Sequence, residues 1–136
     1  MQLEHQIADF LAGQPFAVVG ASSDRRKYGN KVLRCFKQHS LDVVPVNPNA
    51  SVVEGLIAVT ALADCVTLPH AISIITPPKV TEDIVRQAIE LGIQHIWMQP
   101  GAESSTAVQL CRNAGCNVIF GGPCVLVVLG YRESAE

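Results

Sequence analysis

The stretch FAVVGASSDRRKYGNKV, residues 16–32, decides the fold of this chain. Its first four residues form an unbroken apolar run, which is the pattern of a strand buried on both faces. Gly20 ends the run, small and basic residues follow, and a helix is predicted to start near Tyr28. A strand, a glycine turn and a helix in this order predict the first unit of a parallel α/β sheet, with an anion-binding turn between strand and helix.

The same alternation of strands and helices continues along the chain. An amphipathic helix with apolar positions from Leu3 to Leu11 comes first, and Gly13 stops it. Pro45 removes a ladder donor from the second strand, which favours an edge or a strand end. The further predicted strands are 43–46, 71–75, 93–98 and 118–120, and the further predicted helices are about 80–89, closed by Gly92, and 107–114, closed by Gly115.

Two segments are harder to interpret. Residues 49–70 contain turn signals around one short helix or strand, and Val125–Val128 is predicted as a final short strand or a buried extended tail. Because strands and helices alternate at short spacings, we expect parallel pairing and right-handed crossovers. The predicted fold is therefore α/β, with a three-layer, doubly wound, mostly parallel five-stranded sheet of the Rossmann-like type.

Composition describes one compact domain, expected to span residues 1–136. Apolar residues make up 49% of the chain and charged residues 16%, which argues against disorder. The net charge of −2 gives no general attraction to nucleic acid or to an anionic membrane. The sequence has no secretory signal and no run near the ~20 apolar residues of a membrane span, so we expect a soluble cytoplasmic protein. A homodimer would cover the apolar edges of so small a sheet.

Residues typical of ligand sites follow each predicted strand. Because the carboxyl ends of parallel strands meet at one edge of the sheet, these turns together predict a ligand crevice. The turns are Gly20–Ser23, Asn47–Asn49, Thr76–Pro78, Gln99–Gly101 and Gly121–Cys124. Gln99 and Gly101 enter the predicted site as members of the fourth turn.

The first of these turns has the chemistry of a phosphate site. Gly20 permits a tight turn, and the free amides and positive end of the following helix favour a phosphate or pyrophosphate. Ser22 and Ser23 add hydroxyl donors, and residues 25–27 (Arg25, Arg26 and Lys27) add positive charge. We interpret this loop as a phosphate site rather than a solvated surface loop.

The residue after the second strand distinguishes between nucleotides. Dinucleotide domains usually place Asp or Glu there to bind the adenosine ribose, whereas this chain has the neutral Asn47. An acid would repel a phosphorylated ribose and an amide would not. Asn47 therefore favours CoA or NADP over NAD, and the absence of a G-x-G-x-x-G also argues against a standard dinucleotide turn.

Four motifs carry a resemblance to a known family: GAS…KYG, VPVNP, TPP and IWMQPGAES, in this order. Together they resemble the CoA-binding domain family, small Rossmann-like proteins related to the nucleotide-binding domain of the succinyl-CoA synthetase alpha subunit. The similarity covers about residues 14–128. The catalytic phosphohistidine of the synthetase belongs to a further domain, so the resemblance implies CoA binding without ligase activity.

The resemblance implies a role for each turn: the first holds CoA phosphates, the second faces the adenosine and the third lies along the nucleotide. The residues so placed are Gly20, Ala21, Ser22 and Ser23, then Asn47 and Pro48, then Thr76, Pro77 and Pro78. Lys27 and Tyr28 match a family-typical pair that flanks the ligand. The turn NPNAS lacks the lysine of the synthetase, so Arg25, Arg26 or Lys27 is expected to supply that phosphate contact.

The sequence assigns no catalytic residue and no metal site. The four histidines are scattered, and the five cysteines contain no C-x-x-C pair, which indicates reduced thiols packed as small apolar residues. Cys124 is the best chemical candidate: it is either a packed cysteine or a thiol that forms a mixed disulfide with CoA. Trp97 is interpreted as core or interface, and the alternative is an indole that borders the nucleotide. The leading hypothesis is a non-catalytic CoA or acyl-CoA binding protein; the alternatives are an NADP-dependent oxidoreductase and a regulatory interaction subunit.

Overall fold

A computed structural model describes residues 2–133 of the chain. The strands of the described chain are β1 (Phe16–Val19), β2 (Val43–Val46), β3 (Val52–Val53), β4 (Leu56–Ile57), β5 (Ala71–Ile74), β6 (His95–Met98) and β7 (Asn117–Ile119). The helices are α1 (Leu3–Leu11), α2 (Tyr28–Gln38), α3 (Pro78–Leu91), α4 (Ser105–Asn113) and α5 (Val125–Leu129), with a 3₁₀ turn at Leu62–Asp64.

Within these residues, β1, β2, β5, β6 and β7 form one sheet in the order β2-β1-β5-β6-β7, and every neighbouring pair is parallel. β3 and β4 form a separate antiparallel hairpin. The predicted α/β Rossmann-like fold with a five-stranded parallel sheet is confirmed. The strand order reverses between β1 and β5, which is the position where doubly wound sheets open a crevice.

The strand β1 lies in the centre of the core because its four side chains are buried on both faces. Phe16 and Val18 pack with α1, α2 and α5, whereas Ala17 and Val19 pack with α3 and α4. On the first face Phe10, Phe16 and Trp97 form an aromatic cluster with ring centroids 5.2–5.5 Å apart. Trp97 is fully buried, so its interpretation as a core residue is confirmed.

The edge strand β2 tolerates Pro45 because the missing amide faces away from β1. The outward carbonyl of Pro45 accepts a hydrogen bond from the Val59 amide at 3.0 Å, which ties residues 47–59 to the sheet edge. The expected edge position of Pro45 is confirmed. The segment that was hard to interpret contains the β3–β4 hairpin and the 3₁₀ turn.

The prediction for Val125–Val128 was wrong: this run begins the helix α5 rather than forming a strand or an extended tail. Short apolar runs have no period that separates a strand from a buried helical turn. The helix closes with hydrogen bonds from the Val128 amide to the Cys124 carbonyl and from the Gly130 amide to the Leu126 carbonyl. Val125 is buried, and Val127 on the opposite side is 81% exposed.

None of the helices among residues 2–133 is both long enough and apolar enough to cross a membrane.

Candidate functional site

A cavity of about 630 Å³ lies at the carboxyl ends of β1, β2 and β5, where the strand order reverses. The predicted site residues that line it are Gly20, Ala21, Ser22, Lys27, Tyr28, Asn47, Pro48, Thr76 and Pro77. The structure therefore brings residues from the first three predicted turns together around one cavity. No carboxylate occurs among the described residues that line this cavity.

Two glycines set the shape of the cavity through close backbone contacts. Gly20 has φ 96°, and a Cβ atom there would lie 2.0 Å from the Ile75 carbonyl oxygen. A Cβ atom at Gly29, in the first turn of α2, would lie 2.0 Å from the Gly20 carbonyl oxygen. The helix can therefore start directly against the turn only because residue 29 is a glycine. Gly29 belongs to the KYG motif but was not among the predicted site residues, although its place at the start of a predicted helix, where glycine is unfavourable, was a signal.

Two asparagines hold the carbonyls of the first turn. Asn47 Nδ2 donates to the Ala21 carbonyl at 2.9 Å, and Asn30 Nδ2 donates to the Ser22 carbonyl at 2.8 Å. Among the described residues, no group accepts a hydrogen bond from the backbone amides of Ala21, Ser22 or Ser23. A turn whose carbonyls are bonded within the protein and whose successive amides are open forms an anion-binding concavity.

The side chain of Asn47 is committed to the protein itself. Besides the bond to Ala21, its Oδ1 accepts a hydrogen bond from the Asn49 amide at 2.7 Å. Asn47 lines the cavity, and its contact with a nucleotide stays a prediction; within the protein its side-chain amide orders the loop. The role that sequence analysis missed is this connection between the turns after β1 and β2.

The start of α2 adds further donors and one cation. Lys27 is the N-cap residue and makes no side-chain capping bond, and the amides of Tyr28 and Gly29 have no acceptor within residues 2–133. The positive end of the helix therefore faces the turn without a protein partner. Lys27 lines the cavity and forms no ion pair with the rest of the described chain.

The three basic residues of the loop have different surroundings. Arg25 forms a two-pronged ion pair with Glu54, with Nη2 to Oε1 at 2.7 Å and Nε to Oε2 at 3.0 Å. Arg26 pairs with Asp24 at 2.9 Å and is 91% exposed. The hydrogen bonds from these arginines lower the pKa of Glu54 and of Asp24 to about 2. Neither arginine lines the cavity, so of the three only Lys27 is placed there.

Other predicted site residues lie around the rim or below it. Gly101 lines a smaller cavity of about 370 Å³ that shares Tyr28, Thr76 and Pro77 with the first. Ser23 follows the lining residues of the first turn, and Pro78 begins α3. Gln99 is fully buried at the end of β6 and does not line either cavity.

Gln99, Tyr28 and Cys124 form a hydrogen-bonded group. The Tyr28 hydroxyl lies 3.1 Å from Gln99 Oε1 and 2.6 Å from Cys124 Sγ. Because Gln99 Oε1 also accepts from the Val125 amide at 3.0 Å, the orientation of the Gln99 amide is fixed. Tyr28 therefore donates to Gln99, and the Cys124 thiol donates to Tyr28.

The same group leaves one buried polar atom unpaired. Gln99 Nε2 has no hydrogen-bond partner in the described chain, although Gln99 is fully buried. Burial raises the pKa of Tyr28 far above its ordinary value, so the phenol stays protonated. Tyr28 and Cys124 were predicted separately at the ligand end of the sheet, and no local pattern predicted their contact.

Comparison with known proteins adds to this geometry. Residues 14–130 match a family model described as a CoA binding domain. The chain belongs to the CoA-binding domain family. The family resemblance carried by GAS…KYG, VPVNP, TPP and IWMQPGAES is confirmed.

Solved structures of similar proteins have the same fold. A conserved hypothetical protein from Pyrococcus furiosus is 34% identical, with 85% of this chain and 99% of that chain covered and a TM-score of 0.80. A hypothetical protein from Pyrococcus horikoshii is 25% identical over 93% of this chain and 89% of its own, with a TM-score of 0.87. A dinucleotide-forming acetyl-coenzyme A synthetase from Ca. Korarchaeum cryptofilum is 23% identical, and this chain covers 25% of it with a TM-score of 0.68. That last likeness shows the fold alone.

Proposed function

We propose that this protein is a single-domain binder of CoA or acyl-CoA that catalyses no reaction on it. The observation that carries the proposal is the turn of open amides at Ala21, Ser22 and Ser23, which lies at the strand-order reversal of a CoA-binding family fold. Open amides, the positive end of α2 and the Lys27 ammonium together suit the pyrophosphate of a nucleotide carrier.

The remainder of the cavity suits a phosphorylated adenosine. Asn47 and Pro48 line the side next to β2, and the lining within the described chain offers no carboxylate that would repel a ribose phosphate. Thr76 and Pro77 line the side next to β5, along which the nucleotide would extend. We therefore expect the protein to accept a ligand whose ribose carries a phosphate, because no acidic side chain lies beside the ribose.

Isothermal titration calorimetry of the purified chain with CoA, dephospho-CoA and NAD tests this function. We expect heat with CoA, less with dephospho-CoA and none with NAD. Replacing Lys27 by Met should weaken CoA binding about tenfold, the effect of one charge-assisted hydrogen bond. Replacing the exposed neighbour Arg26 by Met is the matched control and should change it little. Absence of heat with every CoA species would defeat the proposal.

The same titration ranks the two alternatives. Asn47 would equally admit the ribose phosphate of NADP, so tight NADPH binding without CoA binding would favour an oxidoreductase. If the protein is a regulatory interaction subunit, we expect its cleft to bind neither CoA nor NADPH.

The Tyr28–Cys124 contact favours a second property of the same site, a response to thiol redox state. We infer that the Cys124 sulfur attacks one sulfur of a CoA disulfide, which breaks the disulfide and releases one CoA. The departing CoA thiolate takes up, by way of solvent, the proton that the Cys124 thiol gives up, so the products are a protein–CoA mixed disulfide and one CoA thiol. Tyr28 lines the cavity, its hydroxyl contacts Cys124 Sγ at 2.6 Å, and Cys124 is only partly buried, which together support this step.

Mass spectrometry of the intact protein after incubation with CoA disulfide measures the adduct. We expect one CoA per chain in the wild type and none after Cys124→Ser. Cys111 is fully buried, so Cys111→Ser is the control and should leave the adduct in place. An adduct that survives Cys124→Ser would refute the assignment.

A cytoplasmic location and a homodimeric state stay predictions of the sequence. Light scattering during gel filtration measures the second, and a monomer at micromolar concentration would refute it.

A further inference from the structure

The ion pair between Arg25 and Glu54 lies beside the proposed phosphate turn. Ser22 and Lys27 both line the cavity, whereas Arg25 between them does not. Its guanidinium is turned to Glu54, which comes from the β3–β4 hairpin. Arg25, which belongs to the loop of the proposed phosphate site, is thus paired with the carboxylate of Glu54 from the same protein.

Glu54 occupies a position in the hairpin that glutamate does not favour. It has φ 51° and the following Gly55 has φ 77°, so they form a two-residue turn with both φ angles positive. Asn and Gly are preferred at the first position of such turns because other residues are strained there. The conformation is held by the buried Val53 and by a hydrogen bond from Lys37 Nζ to the Glu54 carbonyl at 2.7 Å.

The carboxylate would keep partners if Arg25 left it. Asn30 Nδ2 donates to Glu54 Oε2 at 2.8 Å, and the Arg34 guanidinium also contributes to the low pKa of Glu54. Because a buried charge without a partner is costly, these remaining contacts lower the cost of releasing Arg25. The Arg25 side chain is 53% exposed, so it has space to turn.

A carboxylate and a phosphate offer the same pair of oxygens to a guanidinium fork. We propose that Glu54 is an internal counter-anion that occupies Arg25 in the ligand-free protein, and that a phosphate of the bound nucleotide takes its place. Glu54 then lowers affinity, and Arg25 is a specificity-determining residue for phosphate. The inference rests on the proposed CoA binding and adds its regulation.

Titration calorimetry of the full chain with CoA tests the exchange. Glu54→Gln keeps an oxygen that accepts from Asn30 and removes the charge. We expect CoA binding to become about threefold to tenfold tighter, the effect of one charge at the intermediate dielectric of a protein surface. Asp83→Asn removes the same charge from an exposed ion pair on α3 and is the matched control, with CoA affinity unchanged. Equal or weaker binding by Glu54→Gln overturns the proposal.

Arg25→Gln completes a double-mutant cycle. We expect it to weaken CoA binding and to cancel the gain of Glu54→Gln in the double variant. A gain that persists without Arg25 overturns the exchange. Effects seen only with CoA assign the ribose phosphate as the displacing group, and effects also seen with dephospho-CoA assign the pyrophosphate. Denaturant unfolding of each variant verifies that it folds.

Failure of the proposed function gives a different result from failure of this inference. If the wild type gives no heat with any CoA species, CoA binding fails, and the same variants are titrated with inorganic pyrophosphate. A tighter response of Glu54→Gln to pyrophosphate still supports the exchange, and an unchanged or absent response overturns it.

Discussion

The turn after β1 and the turns after β6 and β7 lie on the same edge of the sheet, yet their glycines have opposite surroundings. At Gly20 and Gly29 an added Cβ would lie 2.0 Å from a backbone oxygen. At Gly101, Gly121 and Gly122 no such contact occurs within 4 Å in the described chain, and only the positive φ angle favours glycine. Packing therefore requires glycine in the first turn, whereas only the backbone conformation favours glycine in the later turns. We call the turn after β1 with the start of α2 the phosphate side of the rim, and the turns after β6 and β7, which carry Gln99 and Cys124, the thiol end.

The strongest test of this difference is Gly29→Ala. Alanine favours helices over glycine by about 1 kcal/mol, so propensity alone predicts a more stable protein. We expect instead a loss of about 3 kcal/mol or more in the free energy of unfolding, because the methyl group meets the Gly20 carbonyl. Urea unfolding followed by circular dichroism measures it.

The matched variant is Gly121→Ala, whose methyl group enters open space. We expect a loss of about 1 kcal/mol from the left-handed backbone alone. Equal losses in the two variants would remove the contrast between the turns. Substitution of Gly20 is less informative, because a side chain there meets the Ile75 carbonyl and disturbs the fold together with any ligand site.

Two buried side-chain amides extend the comparison: Asn30 lies on the phosphate side of the rim and Gln99 at the thiol end. Asn30 is fully buried and bonded through both ends: it donates to Ser22 and Glu54 and accepts from Arg34 Nε at 2.7 Å. Asn30→Ala leaves several buried groups unpaired, so we expect a loss of about 2 to 3 kcal/mol in the free energy of unfolding. CoA binding should also weaken, since the Ser22 carbonyl is no longer held.

Gln99 differs because its Nε2 is already unpaired. Gln99→Met loses the bonds that Oε1 accepts but also removes that unpaired amide, so we expect a loss of only about 1 kcal/mol. Urea unfolding of both variants measures the difference. A loss at Gln99 as large as that at Asn30 would show that the two sides of the rim are held equally tightly.

The sequence predicted the parts of this molecule that depend on local patterns. Apolar runs and glycine stops marked every strand of the large sheet, and the turn residues after them marked the cavity. The contacts that distinguish the two sides are not local: Asn30 meets Glu54, and Tyr28 meets Cys124, far along the chain. The β3–β4 hairpin that presents Glu54 has two residues in each strand, too few for a readable period. The helix α5 was missed for the same reason.

The smallest expected effect is the dependence of the free energy of unfolding on pH. We expect it to come from Glu54, which pairs with Arg25 of the loop after β1. Glu54 has a folded pKa of about 2 against an ordinary 4.5, because Arg25 and Asn30 bond its charged form. A lowered folded pKa means that its stabilisation is complete above about 4.5 and is lost as the pH falls toward 2. Since Arg25 is half exposed, we expect at most about 1 kcal/mol from the pair, and less at high salt.

Urea unfolding of the wild type and of Glu54→Gln across pH 2 to 6 isolates this contribution, because the variant lacks the group that titrates. We expect the free energy of unfolding of the two proteins to converge as the pH falls through this window. The Tyr28–Gln99–Cys124 group should add nothing there, because the raised pKa of Tyr28 keeps the phenol neutral. A pH slope that remains in Glu54→Gln and disappears in Tyr28→Phe would place the charge-dependent stability at the thiol end and reverse the comparison.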